Sequence, residues 1–104
     1  MKRYKVIVTP EAQEDIERLQ SFWLQAAGPE VAVRAIDTII KALDFLITFA
    51  HSCRKAKAQV SDKPCRELII PFGSSGYLAL FEIQEDAKRV AILAVKHQRE
   101  SDYH

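Results

Sequence analysis

The run Glu67-Leu68-Ile69-Ile70-Pro71-Phe72 opens a series of three apolar runs, which continues with Tyr77-Leu78-Ala79-Leu80-Phe81-Glu82-Ile83 and Val90-Ala91-Ile92-Leu93-Ala94-Val95. The runs are separated by Gly73-Ser74-Ser75-Gly76 and by Gln84-Glu85-Asp86-Ala87-Lys88-Arg89. Both breaks have hairpin length and turn chemistry, because glycine tolerates positive φ and because serine and aspartate bond their own backbone. The sequence therefore predicts a three-stranded antiparallel meander, around which the rest of the chain is arranged.

These predicted strands are apolar on both faces. In the second strand Tyr77, Ala79, Phe81 and Ile83 alternate with Leu78 and Leu80; in the third, Val90, Ile92 and Ala94 alternate with Ala91, Leu93 and Val95. An antiparallel sheet with one solvated face alternates more cleanly than this. We therefore expect helices on one face, and the chain's tail, a second copy or a partner over part of the other.

Upstream of the meander, the sequence predicts a short strand and a helical hairpin. Residues 2–9 alternate as a strand does, and Thr9-Pro10-Glu11 combines a capping threonine, a proline suited to the first helical position and an acidic side chain. We expect helices over residues 10–27 and 29–50, joined antiparallel at Gly28-Pro29. The prediction is an α+β fold in the order β-α-α-β-β-β, with residues 1–104 as a single domain.

Apolar residues at helical spacing form a stripe on each predicted helix. The first stripe is Ala12, Ile16, Leu19, Trp23 and Ala26, and the second is Ala32, Ile36, Ile39, Ile40, Leu43, Leu46, Ile47 and Ala50. A narrower aromatic row lies beside them, formed by Phe22, Phe45 and Phe49. This row indicates either a wide core or an aromatic groove for a partner.

The charge of the chain is uneven, although its net value is only +1. Residues 51–66 carry five basic side chains against one acidic, which is a local surplus of +4: Arg54, Lys55, Lys57, Lys63 and Arg66 against Asp62. Apolar periodicity is lost over residues 51–63, so this segment is predicted to be a loop. It is either a solvated connection or a contact for phosphate or an acidic partner.

Motifs for cofactors, metals and membranes do not emerge from the sequence. Cys53 and Cys65 do not form a CxxC pair, and no histidine or cysteine cluster has zinc-ligand spacing, so we expect neither metal nor cofactor. The first apolar run, Val6-Ile7-Val8, is too short for a signal peptide or a membrane span. We expect a cytoplasmic protein with reduced thiols.

The order of strand, helical hairpin, basic loop, meander and polar tail resembles the RelE/ParE superfamily of toxins from type II toxin–antitoxin modules. The resemblance rests on Val8-Thr9-Pro10-Glu11-Ala12, Arg66-Glu67-Leu68, Phe72-Gly73-Ser74-Ser75-Gly76-Tyr77 and residues 94–104. It implies one of two activities. RelE-like members are ribosome-dependent endoribonucleases that cut messenger RNA in the ribosomal A site, whereas ParE-like members poison DNA gyrase.

The resemblance to RelE implies only a partial nuclease site. Cleavage through the 2′-hydroxyl needs a base, an acid and cations on the phosphorane. The candidates are His97 as acid or base, with Arg99, Tyr103, Arg66, Lys55 and Lys57. However, two arginines of the RelE pattern fall on Gly73 and His97. This departure favours the ParE-like branch, with no catalytic residue and with His97, Arg99 and Tyr103 as contacts to the target.

Three functional hypotheses follow from the resemblance: a gyrase poison, which we favour, a ribosome-dependent mRNA interferase, and a harmless member that only binds its antitoxin. All three imply a hetero-oligomer with a ParD-like antitoxin, bound as a helix in a groove followed by a strand added to the sheet. The expected antitoxin contacts are Phe22, Arg34, Lys41, Phe45 and Phe49.

Overall fold

The computed structural model describes residues 3–57, 62 and 64–97. In chain order the elements are β1 (Lys5–Val8), α1 (Pro10–Ala27), α2 (Pro29–Phe49), a 3₁₀ turn (Ala50–Ser52), β2 (Arg54–Lys55), β3 (Arg66–Phe72), β4 (Ser75–Gln84) and β5 (Arg89–His97). The strands form one sheet in the order β1-β5-β4-β3-β2, and the two helices pack on one of its faces. The predicted α+β architecture is confirmed.

Local sequence signals set three of the four helix ends where they were predicted. The Thr9 hydroxyl accepts a hydrogen bond from the backbone N–H of Ala12, and Pro10 is the first helical residue. Gly28 joins the helices with a φ of 94°, a conformation that favours glycine. The second helix ends at Phe49, one residue earlier than predicted, because Ala50 begins the 3₁₀ turn.

The first strand takes a place that its own sequence does not specify. It pairs in parallel with β5, from Lys5 opposite Arg89 to Val8 opposite Ile92, so the sheet is mixed rather than purely antiparallel. The meander β3-β4-β5 is antiparallel as predicted. As a result, β1 is one edge of the sheet and the two-residue strand β2 is the other.

A bulge in β5 changes which side chains face the helices. Leu80 pairs with Ala94 and Phe81 with Ile92, so Leu93 has no opposite residue. An extra residue reverses the alternation beyond it. Val95 therefore lies in the main core with Val90 and Ile92, while Ala94 lies on the other face, and the predicted grouping of Ala94 with Val90 and Ile92 is wrong.

Most of each predicted helical stripe faces the sheet and is buried. Ala12, Ile16 and Leu19 of α1 are buried, as are Ala32, Ile39, Leu43 and Leu46 of α2. Two predicted stripe residues are exposed instead: Ala26, in the last turn of α1, and Ile40, whose exposed fraction is 52%. Burial of the stripes against the sheet supplies the main apolar stabilisation of the fold.

The outer face of the sheet, opposite the helices, is partly covered by a segment that the sequence predicted only as a loop. Residues 54–57 begin with β2, and Ala56 packs against the buried residues Leu78, Leu80 and Ala94. Two neighbouring residues of β3 hold this segment. The Arg66 guanidinium donates to the carbonyl of Cys53 at 2.6 Å, and the buried Glu67 carboxylate accepts from Arg54 Nε at 2.8 Å.

Replacing Asp15 with alanine is expected to lower the free energy of unfolding by about 1–2 kcal/mol. The Asp15 Oδ2 atom accepts a hydrogen bond of 2.9 Å from the backbone N–H of Val95, a position on β5 beyond the last residue paired with β1. Removing the carboxylate leaves that N–H without its acceptor. Urea unfolding checks this, with Glu14→Ala on the exposed side of α1 as a control within about 0.5 kcal/mol of the parent.

Candidate partner-binding site

A largely apolar groove runs between β1 and the helical hairpin. Its volume is about 510 Å³. Its apolar lining comes mainly from Val6, Val8, Ile16, Ile36, Ile40 and Ile47, and Lys5 and Asp44 lie at its rim. Ile40 and Val8 are 52% and 39% exposed, so this apolar surface is accessible to a partner.

The outer edge of β1 borders the same groove and offers free backbone groups. The backbone N–H groups of Lys5 and Thr9 donate to the backbone carbonyls of Lys88 and Ile92, at 3.0 and 3.1 Å respectively. Because alternate residues of a strand direct their backbone groups to opposite edges, Val6 and Val8 direct theirs away from β5. In the described part of the chain these groups bond no other backbone. The edge and the groove together can accept an extended peptide.

The structure separates the predicted aromatic row into two exposed places. Phe45 and Phe49 are 44% and 47% exposed, and their ring centroids lie 4.9 Å apart on α2. Phe22 is 55% exposed and contacts Trp23 on α1, with ring centroids 5.3 Å apart. Since all three phenylalanines are exposed, they are not simply the margin of a wide core.

The two charged residues predicted beside this row lie on the exposed surface of α2. Lys41 Nζ is 2.9 Å from the Asp37 carboxylate, and this hydrogen bond raises the pKa of Lys41. The backbone carbonyl of Arg34 accepts a hydrogen bond of 2.7 Å from the Thr38 hydroxyl. Both residues therefore lie on the exposed surface of α2, where a partner can reach them.

His97, at the end of β5, lies in an aromatic cluster with Tyr77, Trp23 and Phe72. The His97 and Tyr77 rings meet edge to face at 5.9 Å, and Trp23 Nε1–H donates to the Tyr77 hydroxyl. Burial raises the pKa of Tyr77. A hollow of about 230 Å³ opens between His97 and Phe22, beside Arg18 and Leu19. Arg99 and Tyr103, the other predicted target contacts, lie outside the described residues.

The other predicted nuclease residues that the structure describes, Arg66, Lys55 and Lys57, are not beside His97. Arg66 lies opposite Phe81 of β4 and opposite Lys55 of β2, whereas His97 lies opposite Tyr77 of β4. Tyr77 and Phe81 are four residues apart, so Arg66 and Lys55 are displaced from His97 by about 13 Å along the strands. The Arg66 guanidinium already donates to a backbone carbonyl. Lys55 and Lys57 are exposed near the β2 edge. The described candidates therefore do not converge on one reacting group.

Sequence reasoning missed a polar cluster at the opposite end of the sheet. The Tyr4 hydroxyl donates to Glu85 Oε1 at 2.8 Å, and His51 Nε2 is 2.6 Å from the same oxygen and 3.0 Å from the Tyr4 hydroxyl. The cluster joins the entry to β1, the 3₁₀ turn after α2 and the β4–β5 turn. Its members are distant in the sequence and share no motif, so only the fold reveals them.

Stability at alkaline pH is expected to depend on Tyr4. The hydrogen bond to Glu85, then burial and the charge of Glu85, raise its pKa above the usual 10.0. A raised folded-state pKa stabilises the fold at pH values below the unfolded pKa, and that stabilisation is lost as pH rises through the folded pKa. The unfolding midpoint should fall more for the parent than for Tyr4→Phe between about pH 8 and pH 11. Parallel pH curves for the two proteins would contradict this.

Neither a metal cluster nor a reactive thiol is evident in the described residues. No group of three histidine, cysteine or acidic side chains could hold a metal ion within residues 3–57, 62 and 64–97. Neither Cys53 nor Cys65 is in a disulfide bond, and burial raises the pKa of the Cys53 thiol, which keeps it protonated near neutrality. Neither described helix has the length and apolarity needed to cross a bilayer.

The chain is similar to known toxins over almost its whole length. Residues 6–102 match the family described as ParE toxin of type II toxin–antitoxin system, parDE. Toxin RelE3 of Caulobacter vibrioides is 31% identical over 91 residues, covering 88% of this chain and 90% of that protein.

Solved structures share the fold at lower identity. The chromosomal ParDE system of P. aeruginosa superposes with a TM-score of 0.75 at 20% identity, covering 93% of this chain and 98% of that one. A mutant of the E. coli toxin RelE in the free state superposes with a TM-score of 0.62 at 14% identity, covering 96% of this chain and 88% of that one. A toxin–antitoxin complex, RelBE2 of Mycobacterium tuberculosis, superposes with a TM-score of 0.54 at 20% identity, covering 92% of this chain and 99% of that one. The family match and the Caulobacter relative establish that the chain belongs to the ParE toxin family of type II toxin–antitoxin systems, within the RelE/ParE superfamily.

Proposed function

We propose that this toxin acts in the cytoplasm by binding DNA gyrase and trapping its complex with cleaved DNA, without being a nuclease itself. The observation that carries the proposal is the separation of Arg66 and Lys55 from His97 along the sheet. A developing negative charge on a phosphorane needs donors placed around it, and each missing donor costs about 3 kcal/mol of transition-state stabilisation. His97, Arg99 and Tyr103 are proposed as target contacts.

The neutralising partner is a ParD-like antitoxin, which forms a hetero-oligomer with the toxin. An extended antitoxin segment fits the outer edge of β1, where Val6 and Val8 offer backbone donors and acceptors beside the apolar groove. An antitoxin helix fits the exposed face of the hairpin, near Phe45, Phe49 and Phe22. This combination places apolar anchors beside main-chain hydrogen bonds, as in other helix-and-strand recognition modes.

The decisive experiment is a supercoiling assay with purified gyrase and relaxed plasmid. Gyrase should lose supercoiling activity as toxin is added and should accumulate cleaved DNA, and pre-incubation with the antitoxin should restore activity. Normal supercoiling at saturating toxin would refute the proposal. Growth arrest on expression separates a gyrase poison from a member that only binds its antitoxin.

Ribosome-dependent mRNA cleavage is the second candidate, and the name of the Caulobacter relative, Toxin RelE3, favours testing it. In that case His97 acts as acid or base beside Arg99 and Tyr103. Toxin added to a translating extract should then cut messages at A-site codons, and His97→Ala should abolish the cuts. Intact messages in an extract supplied with active toxin would eliminate this candidate.

A further inference from the structure

The helical layer and the β2 edge of the sheet carry opposite charge. Residues 10–49, which form both helices, contain seven acidic and three basic side chains. Residues 51–57, at the β2 edge of the sheet, contain three basic and no acidic side chains. A polyanion is therefore repelled by the helical layer and attracted to the side of the molecule where residues 54–57 lie.

Strand register brings further cations to the outer face. Arg54 pairs with Glu67, Glu67 with Leu80 and Leu80 with Ala94, so these four residues lie in one row on that face. Lys96 pairs with Leu78, one step along the same face. Ala56 packs against Leu78, Leu80 and Ala94, and the backbone N–H of the next residue, Lys57, donates to Glu67 in the same row, so Lys57 lies at this face.

The charge that this face presents to solvent is positive. Its acidic side chains in the described chain, Glu67 and Glu82, are only 5% and 9% exposed. Lys57 and Lys96 have no ion-pair partner among the described residues. Arg54 stays 60% exposed while its Nε and Nη2 atoms lie 2.8 and 2.5 Å from Glu67 Oε2, so its guanidinium is fixed with its remaining N–H groups free to bind an anion.

The same face lacks the features of a protein-binding surface. Protein interfaces are centred on exposed aromatic or large apolar anchors. Among the described residues of the outer face, Ile69 is the exposed large apolar side chain, at 38%, because Leu78 and Leu80 are buried. The exposed phenylalanines all lie on the helices. Cations without such an anchor fit a phosphodiester backbone better than an acidic protein.

We propose that the outer face of the sheet binds the phosphate backbone of a nucleic acid through Arg54, Lys57 and Lys96, and that Glu67 is the positioning residue for the first two. Glu67 holds the Arg54 guanidinium and also accepts the backbone N–H of Lys57 at 3.2 Å. This inference deepens the proposed function, on which its biological meaning rests, because it gives the toxin a direct contact with the DNA that gyrase holds.

Direct binding to a fluorescent DNA duplex of about 20 base pairs tests the surface. Three phosphate contacts predict a slope of about −2.7 for the logarithm of affinity against the logarithm of salt concentration. Lys57→Gln and Lys96→Gln should each weaken binding for every duplex sequence and make the slope shallower by about 0.9. Lys41→Gln, which removes the same charge from the helical face, should change neither the DNA affinity nor the salt slope.

Glu67→Gln separates positioning from simple charge. It removes a negative charge, so electrostatics alone predicts tighter DNA binding, whereas loss of the fixed Arg54 and Lys57 predicts weaker binding, by about threefold or more. Thermal unfolding confirms that the variant is folded. Arg54→Lys provides an independent test, because it keeps the charge but not the two-point contact and should also weaken binding.

Two results from the variants and the competitor would overturn the inference. One is DNA affinity that is unaffected by Lys57→Gln together with Lys96→Gln, and the other is equal affinity and salt slope for polyglutamate, which would show that the face does not prefer a phosphate backbone. Absence of DNA binding by the parent protein would overturn it as well. The supercoiling assay on the parent protein, run beside its DNA-binding assay, keeps the two proposals distinct. Full gyrase inhibition without DNA binding refutes this inference alone, and DNA binding without gyrase inhibition refutes the proposed function alone.

Discussion

Replacing Gly76 with alanine is expected to lower the free energy of unfolding by about 3 kcal/mol, because a methyl group has no room there. A Cβ atom at Gly76 would lie 2.4 Å from the carbonyl oxygen of Ile70 and 3.2 Å from the Cα atom of Pro71. Both neighbours are backbone of the paired strand β3, so neither can rotate away as a side chain could. Relief requires β3 and β4 to separate locally, beside the fully buried Ile70 and Tyr77.

Gly73 provides the matched control for this prediction, since it lies only three residues away in the same hairpin. Its φ is 63°, and no heavy atom lies within 4 Å of the position a Cβ would take. Asparagine tolerates this left-handed conformation, so Gly73→Asn should change the free energy of unfolding by less than about 1 kcal/mol. Urea denaturation of both variants measures the difference. Equal, small effects would show that the strands accommodate the methyl group at Gly76.

The two glycines also show how far the sequence defines this hairpin. Both were predicted to serve a four-residue turn through positive φ, and the hairpin itself is confirmed. The structure shortens the turn to Gly73-Ser74, because β4 begins at Ser75. Only Gly73 needs positive φ; Gly76 is needed for the close approach of two strands. The need for positive φ in a turn can be predicted from adjacent residues, whereas the close approach of β4 to β3 at Gly76 depends on how the two strands cross.

The helices were the most predictable part of the fold. Their ends depend on adjacent residues, such as the Thr9 cap, the prolines and Gly28, and their buried faces follow a fixed spacing. The parallel pairing of β1 with β5 could not be predicted in this way. It joins residues more than eighty positions apart, and nothing within Lys5–Val8 specifies the partner strand.

The site was predictable as a surface but not as an arrangement. Phe22, Phe45 and Phe49 were identified as a row beside the core, and all three are exposed. Their assignment to the two helices was part of the prediction, but their separation into two exposed places, and the groove beside β1, depend on how the hairpin lies over the sheet. The hydrogen bond between Arg54 and Glu67 could not be predicted either, because the sequence of an apolar strand does not show which cation an acidic residue within it will bind.

Replacing Ile40 with glutamate is expected to weaken antitoxin binding about 100-fold or more, the largest effect we predict on the proposed complex. Ile40 is half exposed and lines the groove, so a partner that fills the groove covers it. A carboxylate there must lose its hydration without gaining a partner, which costs several kcal/mol. Because Ile40 is not part of the buried core, the free toxin should unfold at nearly the same urea concentration as the parent.

Lys41 is the matched control, since it is the next residue of α2 but points to solvent, where it pairs with Asp37. Lys41→Glu or a charge swap at Arg34 should weaken the complex only a few-fold, because rim charges are solvated and screened. If an antitoxin helix covers the Phe45–Phe49 pair, Phe45→Ala should weaken antitoxin binding about 30-fold, which is less than the effect of Ile40→Glu and more than that of Lys41→Glu. Calorimetric titration with the antitoxin ranks the variants. If Ile40→Glu binds as well as Lys41→Glu, then the antitoxin does not enter the groove; if Phe45→Ala alone fails, it lies only over the phenylalanine pair.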